Sequence, residues 1–303
     1  MKIYDCFMYF DEDIVLSVRL EELNKYVDFF VIIESTYSHN GEERNLHFDI
    51  NKFSKFKEKI IYKVYNEIPK NIIQINISDN EDKIKKKKIL NAIYRENSQR
   101  NCINLALKNV NENDLILISD IDEIPNLYNL DIHSISEKII MFKQQMFYYK
   151  FNLKLPNFTW YGTKACKYKF LKSPQWLRNI KNRKYNFLRL DILFSEKKYK
   201  NVKFIENGGW HFTYIKSPKS IQKKLKSYLH HVDYEDNPID EKNIDKLVSE
   251  RKAIYDHEKD KRNWKKIGTG QKLIIETLEN LPKYIIKNKK NLENWLDKFI
   301  QKN

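Results

Sequence analysis

The chain has 303 residues, 41% hydrophobic and 14% aromatic, which is enough to bury a large core and argues against disorder. Its formal net charge of +15 favours anionic partners such as nucleic acid, an anionic membrane surface or a diphosphate, although lysine scattered over solvated positions accounts for the same total. With six glycines and no GxGxxG or GxxxxGKS/T pattern a phosphate loop is disfavoured, and Cys6, Cys102 and Cys166, far apart and without CxxC spacing, suggest neither a disulfide framework nor a thiolate zinc site.

Taken in chain order, "KIYDCFMYF" alternates loosely and predicts a first strand, and "DEDIVLSVRLEELNKY" predicts a helix behind acidic first-turn residues. The continuous apolar run in "VDFFVIIE" predicts a strand buried on both faces, and "KIIYKV" a third strand. A long helix is predicted from about Ile84 to Val110, then the buried strand "DLILIS". This succession of strands and helices with short linkers predicts an α/β fold on a mainly parallel central sheet. From Lys138 to about Lys172 a polar-aromatic alternation predicts antiparallel strands, and "NVKFIENGGWHFTYI" a further strand interrupted at Gly-Gly. From Ser217 onward the chain reads as helices, "SPKSIQKKLKSYL", "DEKNIDKLVSERKAIY" and "KLIIETLENLPKYIIKN" being the clearest. The expected organisation is a catalytic domain over 1–216 and a helical C-terminal extension over 217–303 packed on it. No run reaches the roughly eighteen apolar residues needed to span a bilayer, and the N-terminal stretch is too short and too acidic for a signal peptide. A cytoplasmic protein, soluble or peripheral, is expected.

The chemistry concentrates in "LILISDIDEIP", where a buried strand ends in Asp120, Asp122 and Glu123. Ligands bind beyond the carboxyl ends of strands in open α/β sheets. Crowded carboxylates there point to a divalent cation, Mn²⁺ or Mg²⁺, and a D-x-D after an apolar strand suits a metal held against a sugar diphosphate. "DED" at Asp11 to Asp13 and "DYED" at Asp233 to Asp236 show that the bare pattern also recurs by chance. In "AIYRENSQRN", Arg95 with Gln99 and Glu96 with Arg100 each share a helical face, as a surface ion pair or as arginines aimed at a diphosphate. In "ENGGWHFTY", Trp210 offers an aromatic face and His211 is either a hydrogen-bonded core residue or a third metal ligand.

Taken together, "YDCFMYFDEDIVLSVRLEEL", "VDFFVIIESTYSHNGEER", "YRENSQRN", "LILISDIDEIP", "WYGTKA" and "NGGWHFTYI", in this order over roughly residues 3 to 231, resemble glycosyltransferase family 17, the β-1,4-mannosyl-glycoprotein β-1,4-N-acetylglucosaminyltransferase family. The resemblance implies a GT-A-like nucleotide-diphospho-sugar transferase fold, a UDP-sugar donor, a divalent metal and inversion at the anomeric carbon. It places Asp120 and Asp122 on the family's metal and donor motif, Glu34 on the acid ending the second strand, Arg95, Glu96 and Arg100 on an Arg-Glu…Arg helix, and Trp210 and His211 on a Trp-His pair. Asp11 stands where an Asn is expected before the acidic pair, and the membrane anchor and stem of the eukaryotic members have no counterpart here. A glycan acceptor is expected, with a lipid-linked one more natural than a glycoprotein.

The expected reaction moves N-acetylglucosamine or a related sugar from UDP to a glycan hydroxyl. Glu34, Arg95, Arg100, Asp120 and Trp210 would hold the donor, Asp120, Asp122 and His211 the metal, and Glu123, Glu206 or Asp191 would take the acceptor proton. The competing readings are a Mg²⁺-dependent nucleic-acid enzyme using the acidic cluster and basic surface, disfavoured because the basic residues are spread along the chain, and an inactive glycan-binding scaffold. The basic tail "LPKYIIKNKKNLENWLDKFI", with Tyr284, Ile285, Ile286, Trp295 and Phe299 among its lysines, either lies on an anionic leaflet or packs its apolar face on the α/β body.

Overall fold

In the computed structural model the described residues are 1–186, 188–192, 194–229, 231–257 and 267–298. The first half follows the predicted order: β1 (Ile3–Tyr9), α1 (Asp13–Leu23), β2 (Phe29–Ser35), β3 (Ile60–Tyr65), α2 (Glu81–Asn101), the single turn α3 (Ile103–Ala106), β4 (Leu115–Asp120) and β5 (Glu123–Pro125). The apolar runs form strands because they are covered on both faces: every residue of β2 after Phe29 is buried, and so is every residue of β4 before Asp120. The long helix begins earlier than its apolar pattern, because the Asn80 side chain caps it by accepting from the Lys83 N–H and Glu81 and Asp82 fill its first turn. It also ends earlier, breaking at Cys102 into α3.

The second half contains β6 (Ile139–Tyr148), β7 (Leu153–Lys167), α4 (Pro174–Asn179), β8 (Val202–Ile205), β9 (Gly209–Thr213), α5 (Pro218–Ser227), α6 (His231–Asp236), α7 (Glu241–Ser249), β10 (Ile274–Ile275) and α8 (Lys283–Lys287). The described strands form one curled sheet in the order β3-β2-β1-β4-β7-β6-β9-β5, with β8 added to β6 and β10 to β7. β3, β2, β1 and β4 run parallel, whereas β7 is antiparallel to both β4 and β6. The single strand expected across "NVKFIENGGWHFTYI" is two, β8 and β9, lying one after the other beside β6. Gly209 makes the break possible: its φ of +132° suits glycine, and a Cβ there would sit 2.1 Å from the Ile124 carbonyl oxygen.

Three apolar clusters hold these layers. One packs α1 against the sheet through Val15, Leu16, Val18, Leu20 and Leu23. A second, on the opposite face, takes in Ile103, Leu107 and Leu177. The third joins Tyr148, Tyr149 and Tyr214 to Ile221, Leu225, Ile244 and Leu247 of the C-terminal helices. The stretch after Ser217 is not purely helical, since part of "KLIIETLENLPKYIIKN" forms β10, antiparallel to β7. Among the described residues its tail makes the short α8 and a 3-10 turn at Glu293–Trp295, and Tyr284, Ile285, Ile286 and Trp295 pack on the first cluster, so that apolar face is spent on the protein itself. Phe299 lies outside the described residues.

Candidate active site

The acidic turn is built from beneath by Arg19, which neither charge pattern nor spacing singles out. This side chain of α1 is fully buried and salt-bridged to Asp5 at 2.6 Å. It donates to the carbonyls of Asp120, Ile121 and Glu123 at 3.1, 3.0 and 3.0 Å, and to the Ser119 hydroxyl at 2.5 Å. One guanidinium thereby fixes the backbone of residues 119–123, which sets where each carboxylate points.

Glu123 points inward. One oxygen accepts from Trp160 Nε1 at 2.6 Å and from Arg178 Nη2 at 3.0 Å; the other accepts from Arg178 Nη1 at 2.7 Å and from the Asp120 N–H at 2.8 Å. Gly162 must be a glycine here, because a Cβ would press on Gln144 and stand 3.0 Å from the Glu123 carboxyl carbon. Asp120 lies between Arg100 at 2.9 Å and Arg178 at 3.1 Å. Burial by itself would raise its pKa, but the two guanidiniums outweigh it and hold the carboxyl well below the ordinary range. The crowding of carboxylates is therefore relieved in this structure by arginines, with Arg178 serving Asp120 and Glu123 together.

A cavity of about 400 Å³ opens at the carboxyl ends of β1, β2 and β4. Tyr9 at the end of β1 and Phe10 just after it, Tyr37 and His39 after β2, and Glu96 and Gln99 of α2 line one side. Asp120, Asp122, Trp160, Arg178, His211 and Lys224 line the other, and Arg44 and Glu12 also face it. Alternation along β9 decides which of its side chains arrive: His211 faces the cavity, whereas Trp210 belongs to the core and donates through Nε1 to the Asn280 carbonyl at 2.7 Å.

Asp122 lies 3.5 Å from His211 Nε2 and 3.8 Å from Lys224 Nζ. Burial opposes its charge, but the His211 and Lys224 charges win and its pKa is lowered. For His211 burial likewise opposes the charged form, and Asp122 reverses the balance and raises its pKa. His211 Nδ1 is buried without a hydrogen-bond partner, and the ring lies tilted by 35° against Trp160 with centroids 4.9 Å apart. Lys224 also reaches Glu12 at 3.1 Å; there burial is outweighed by Lys216 and Lys224, and the carboxyl falls to about 2.

The expected trio of metal ligands is not assembled, since both Asp120 oxygens are engaged by arginines and no group of three His, Cys, Asp or Glu among the described residues is arranged to hold an ion. Asp122 offers a carboxylate oxygen, and His211 once it gives up its proton offers Nε2 beside it. That set fits an ion that shares its coordination with substrate phosphates and water, and not one enclosed by protein alone.

Of the other expected residues, Arg100 is buried beneath the cavity and binds Glu96 at 2.7 Å as well as Asp120, with Gln175 as a further partner. Arg95 points instead to the His39 carbonyl, at 3.2 Å. Glu34 is fully buried and holds the 44–48 segment, accepting from Arg44 at 2.9 Å, the His47 and Phe48 N–H groups at 2.7 and 3.1 Å, and the Tyr62 hydroxyl at 2.8 Å. Asp191 and Glu206 are not brought to the cavity: Asp191 pairs with Arg189 and Lys198 at 2.8 Å each on an exposed loop, and Glu206 pairs with Lys143 at 2.6 Å.

The residues that sequence reasoning missed are mainly cations: Arg44, Arg178 and Lys224. The signal for Arg178 was present in "SPQWLRN", where Ser173 caps α4, Pro174 starts it and Arg178 falls one turn later. Its position is fixed further by Lys164, a buried lysine whose Nζ donates to the carbonyls of Arg178 and Ile180 at 2.6 Å each. Burial, with the Arg178 charge nearby, lowers the pKa of Lys164 to about 7.

No individual curated protein matches the chain significantly. The profile of glycosyltransferase family 17 matches residues 1–298, nearly the entire chain, and covers both the acidic turn and the strands and helices that enclose the cavity. A cavity at the strand ends, lined by acids and the cations that balance them, is where such an enzyme needs its substrate, and the chain belongs to glycosyltransferase family 17.

Proposed function

We propose that this glycosyltransferase moves N-acetylglucosamine or a related sugar from a UDP-sugar to a glycan hydroxyl, with inversion and with Mn²⁺ or Mg²⁺ present. The observation that carries the reading is the convergence of Arg44, Arg178 and Lys224 with Asp122 and His211 on one cavity. A diphosphate leaving group is best stabilised by fixed cations in a site that excludes water. Asp122 and His211 would hold the ion, which would supply further charge neutralisation at the diphosphate.

The chain's own residues divide the remaining work. Tyr37 and His39 offer ring faces to a nucleoside, and Glu96 and Gln99 offer acceptors for its hydroxyls. Arg178 and Lys224 face the diphosphate and Trp160 faces the sugar. Glu123, with both oxygens engaged, acts as a positioning residue for Trp160, Arg178 and the Asp120 backbone. A cavity of this size suits a nucleotide-sized anion better than a polynucleotide, which favours a transferase over a nucleic-acid enzyme.

A panel of UDP-sugars with Mn²⁺, scored by release of UDP, tests the reading. Turnover of UDP-N-acetylglucosamine or a close relative is expected. Release from none of the panel, together with salt-sensitive oligonucleotide binding, would overturn it.

A further inference from the structure

Between α4 and β8 the chain makes a loop closed at its base by the Lys181 N–H donating to the Lys197 carbonyl at 2.7 Å and by Trp176 Nε1 donating to the Glu196 carbonyl at 3.0 Å. Ile192 is buried and pins the loop to the body. Its outer residues are the reverse of what solvent favours: Leu188 and Leu190 are each 70% exposed and Phe194 is 90% exposed. Scattered single apolar residues need no explanation, but three large ones within seven positions do.

Their charged surroundings say what covers them. Over 181–200 the sequence carries seven basic residues, Lys181, Arg183, Lys184, Arg189, Lys197, Lys198 and Lys200, against the two acids Asp191 and Glu196. Lys181, Arg183, Lys184, Arg189 and Lys197 are exposed. Arg189 and Lys198 are engaged by Asp191, so the excess of positive charge rests mainly on the two shoulders of the loop, at 181–184 and around Lys197. Apolar tips flanked by basic shoulders match a surface that is apolar inside and anionic at its face. A second copy of the chain would bring two such positive loops together, and a nucleic acid would leave the leucine tips in water.

We propose that the 181–197 loop docks the protein on an anionic lipid leaflet, with Leu188, Leu190 and Phe194 entering the acyl boundary and the basic shoulders meeting headgroups. The loop leaves directly from α4, whose Arg178 lines the cavity, so docking would bring the site close to the lipid surface. This inference stands on the loop alone and does not depend on which sugar is transferred.

Flotation with vesicles of phosphatidylcholine alone and with one third phosphatidylglycerol tests it. The wild type is expected to float with the anionic vesicles only, and less at high salt. Leu188→Ser/Leu190→Ser/Phe194→Ser, on exposed positions that leave the fold intact, is expected to lower binding at least tenfold, and Arg183→Gln and Lys184→Gln about fivefold each. UDP release should be unchanged in all three variants, which separates loss of docking from loss of the site. Equal binding to both vesicle types, no binding at low salt, undiminished binding by the triple serine variant, or a stable dimer that this variant dissolves would each overturn the proposal.

Discussion

Arg178 binds both Asp120 and Glu123, and a double-mutant cycle with Glu123 measures how much of the site depends on it. The Glu123 carboxylate is fully buried and takes two of its four hydrogen bonds from the Arg178 guanidinium, at 2.7 and 3.0 Å. Arg178→Met would leave that carboxylate in the interior with no charged partner, a loss of about 3–5 kcal/mol. Glu123→Gln removes the charge but keeps an acceptor for Trp160, so a smaller loss of about 2 kcal/mol is expected from the weakened arginine contact. Once Arg178 is gone, the neutral amide is the better tenant. The double variant should therefore lose less than the sum of the singles by about 1–3 kcal/mol. Urea denaturation followed by far-UV circular dichroism reads all four proteins. Additivity within about 0.5 kcal/mol would show that the pair is not coupled, and the account of Arg178 as the centre of the acidic turn would fail.

Other residues give sharper separations of structure from chemistry. The Glu12 carboxyl lies at about 2 in the folded protein against 4.5 ordinarily, so its contribution to stability is complete above pH 4.5 and is lost as pH falls toward 2. That is about 3 kcal/mol, which Glu12→Gln should remove from the acid limb of a stability-against-pH curve; a variant with an unchanged acid limb would contradict it. Trp210→Ala should cost about 3–5 kcal/mol in urea unfolding while the folded fraction keeps its KM for donor, because the ring is in the core; a raised KM with normal stability would return Trp210 to the donor site. Asp191→Asn and Glu206→Gln should each release UDP within about twofold of the wild type, since both are exposed acids tied to lysines or arginines outside the cavity; a hundredfold loss in either would show that the acid reaches the acceptor.

Much of the framework was legible because it rests on local patterns. The apolar runs ending at Glu34 and at Asp120 could be covered on both faces only inside a sheet, and the acids that follow them had to fall at strand ends. Which acid faces the cavity was not legible. Asp122 and Glu123 are neighbours in sequence with the same chemistry, and only the Arg19 contacts to three carbonyls of the turn send one outward and the other inward. Trp210 and His211 show the same limit: both sit beside the glycine break, and strand alternation separates them only once the register of β9 against β5 and β6 is known. The cations were hidden for a different reason. Arg178 and Lys224 come from short helices far along the chain; the Ser-Pro start of "SPQWLRN" marks a helix carrying Arg178, but among 56 lysines and arginines nothing local shows that either side chain turns to the cavity.

We propose above that this cavity binds a nucleoside diphosphate through its cations and through Asp122 with His211. Calorimetric titration of UDP into the protein, with and without Mn²⁺, and into Asp122→Ala checked for its fold by circular dichroism, decides whether it does. The wild type is expected to bind UDP more tightly with Mn²⁺ than without, and Asp122→Ala to lose the Mn²⁺-dependent gain while keeping the weaker metal-free affinity supplied by Arg44, Arg178 and Lys224. A wild type that binds no UDP, or an Asp122→Ala protein with the full Mn²⁺-dependent affinity, would contradict it.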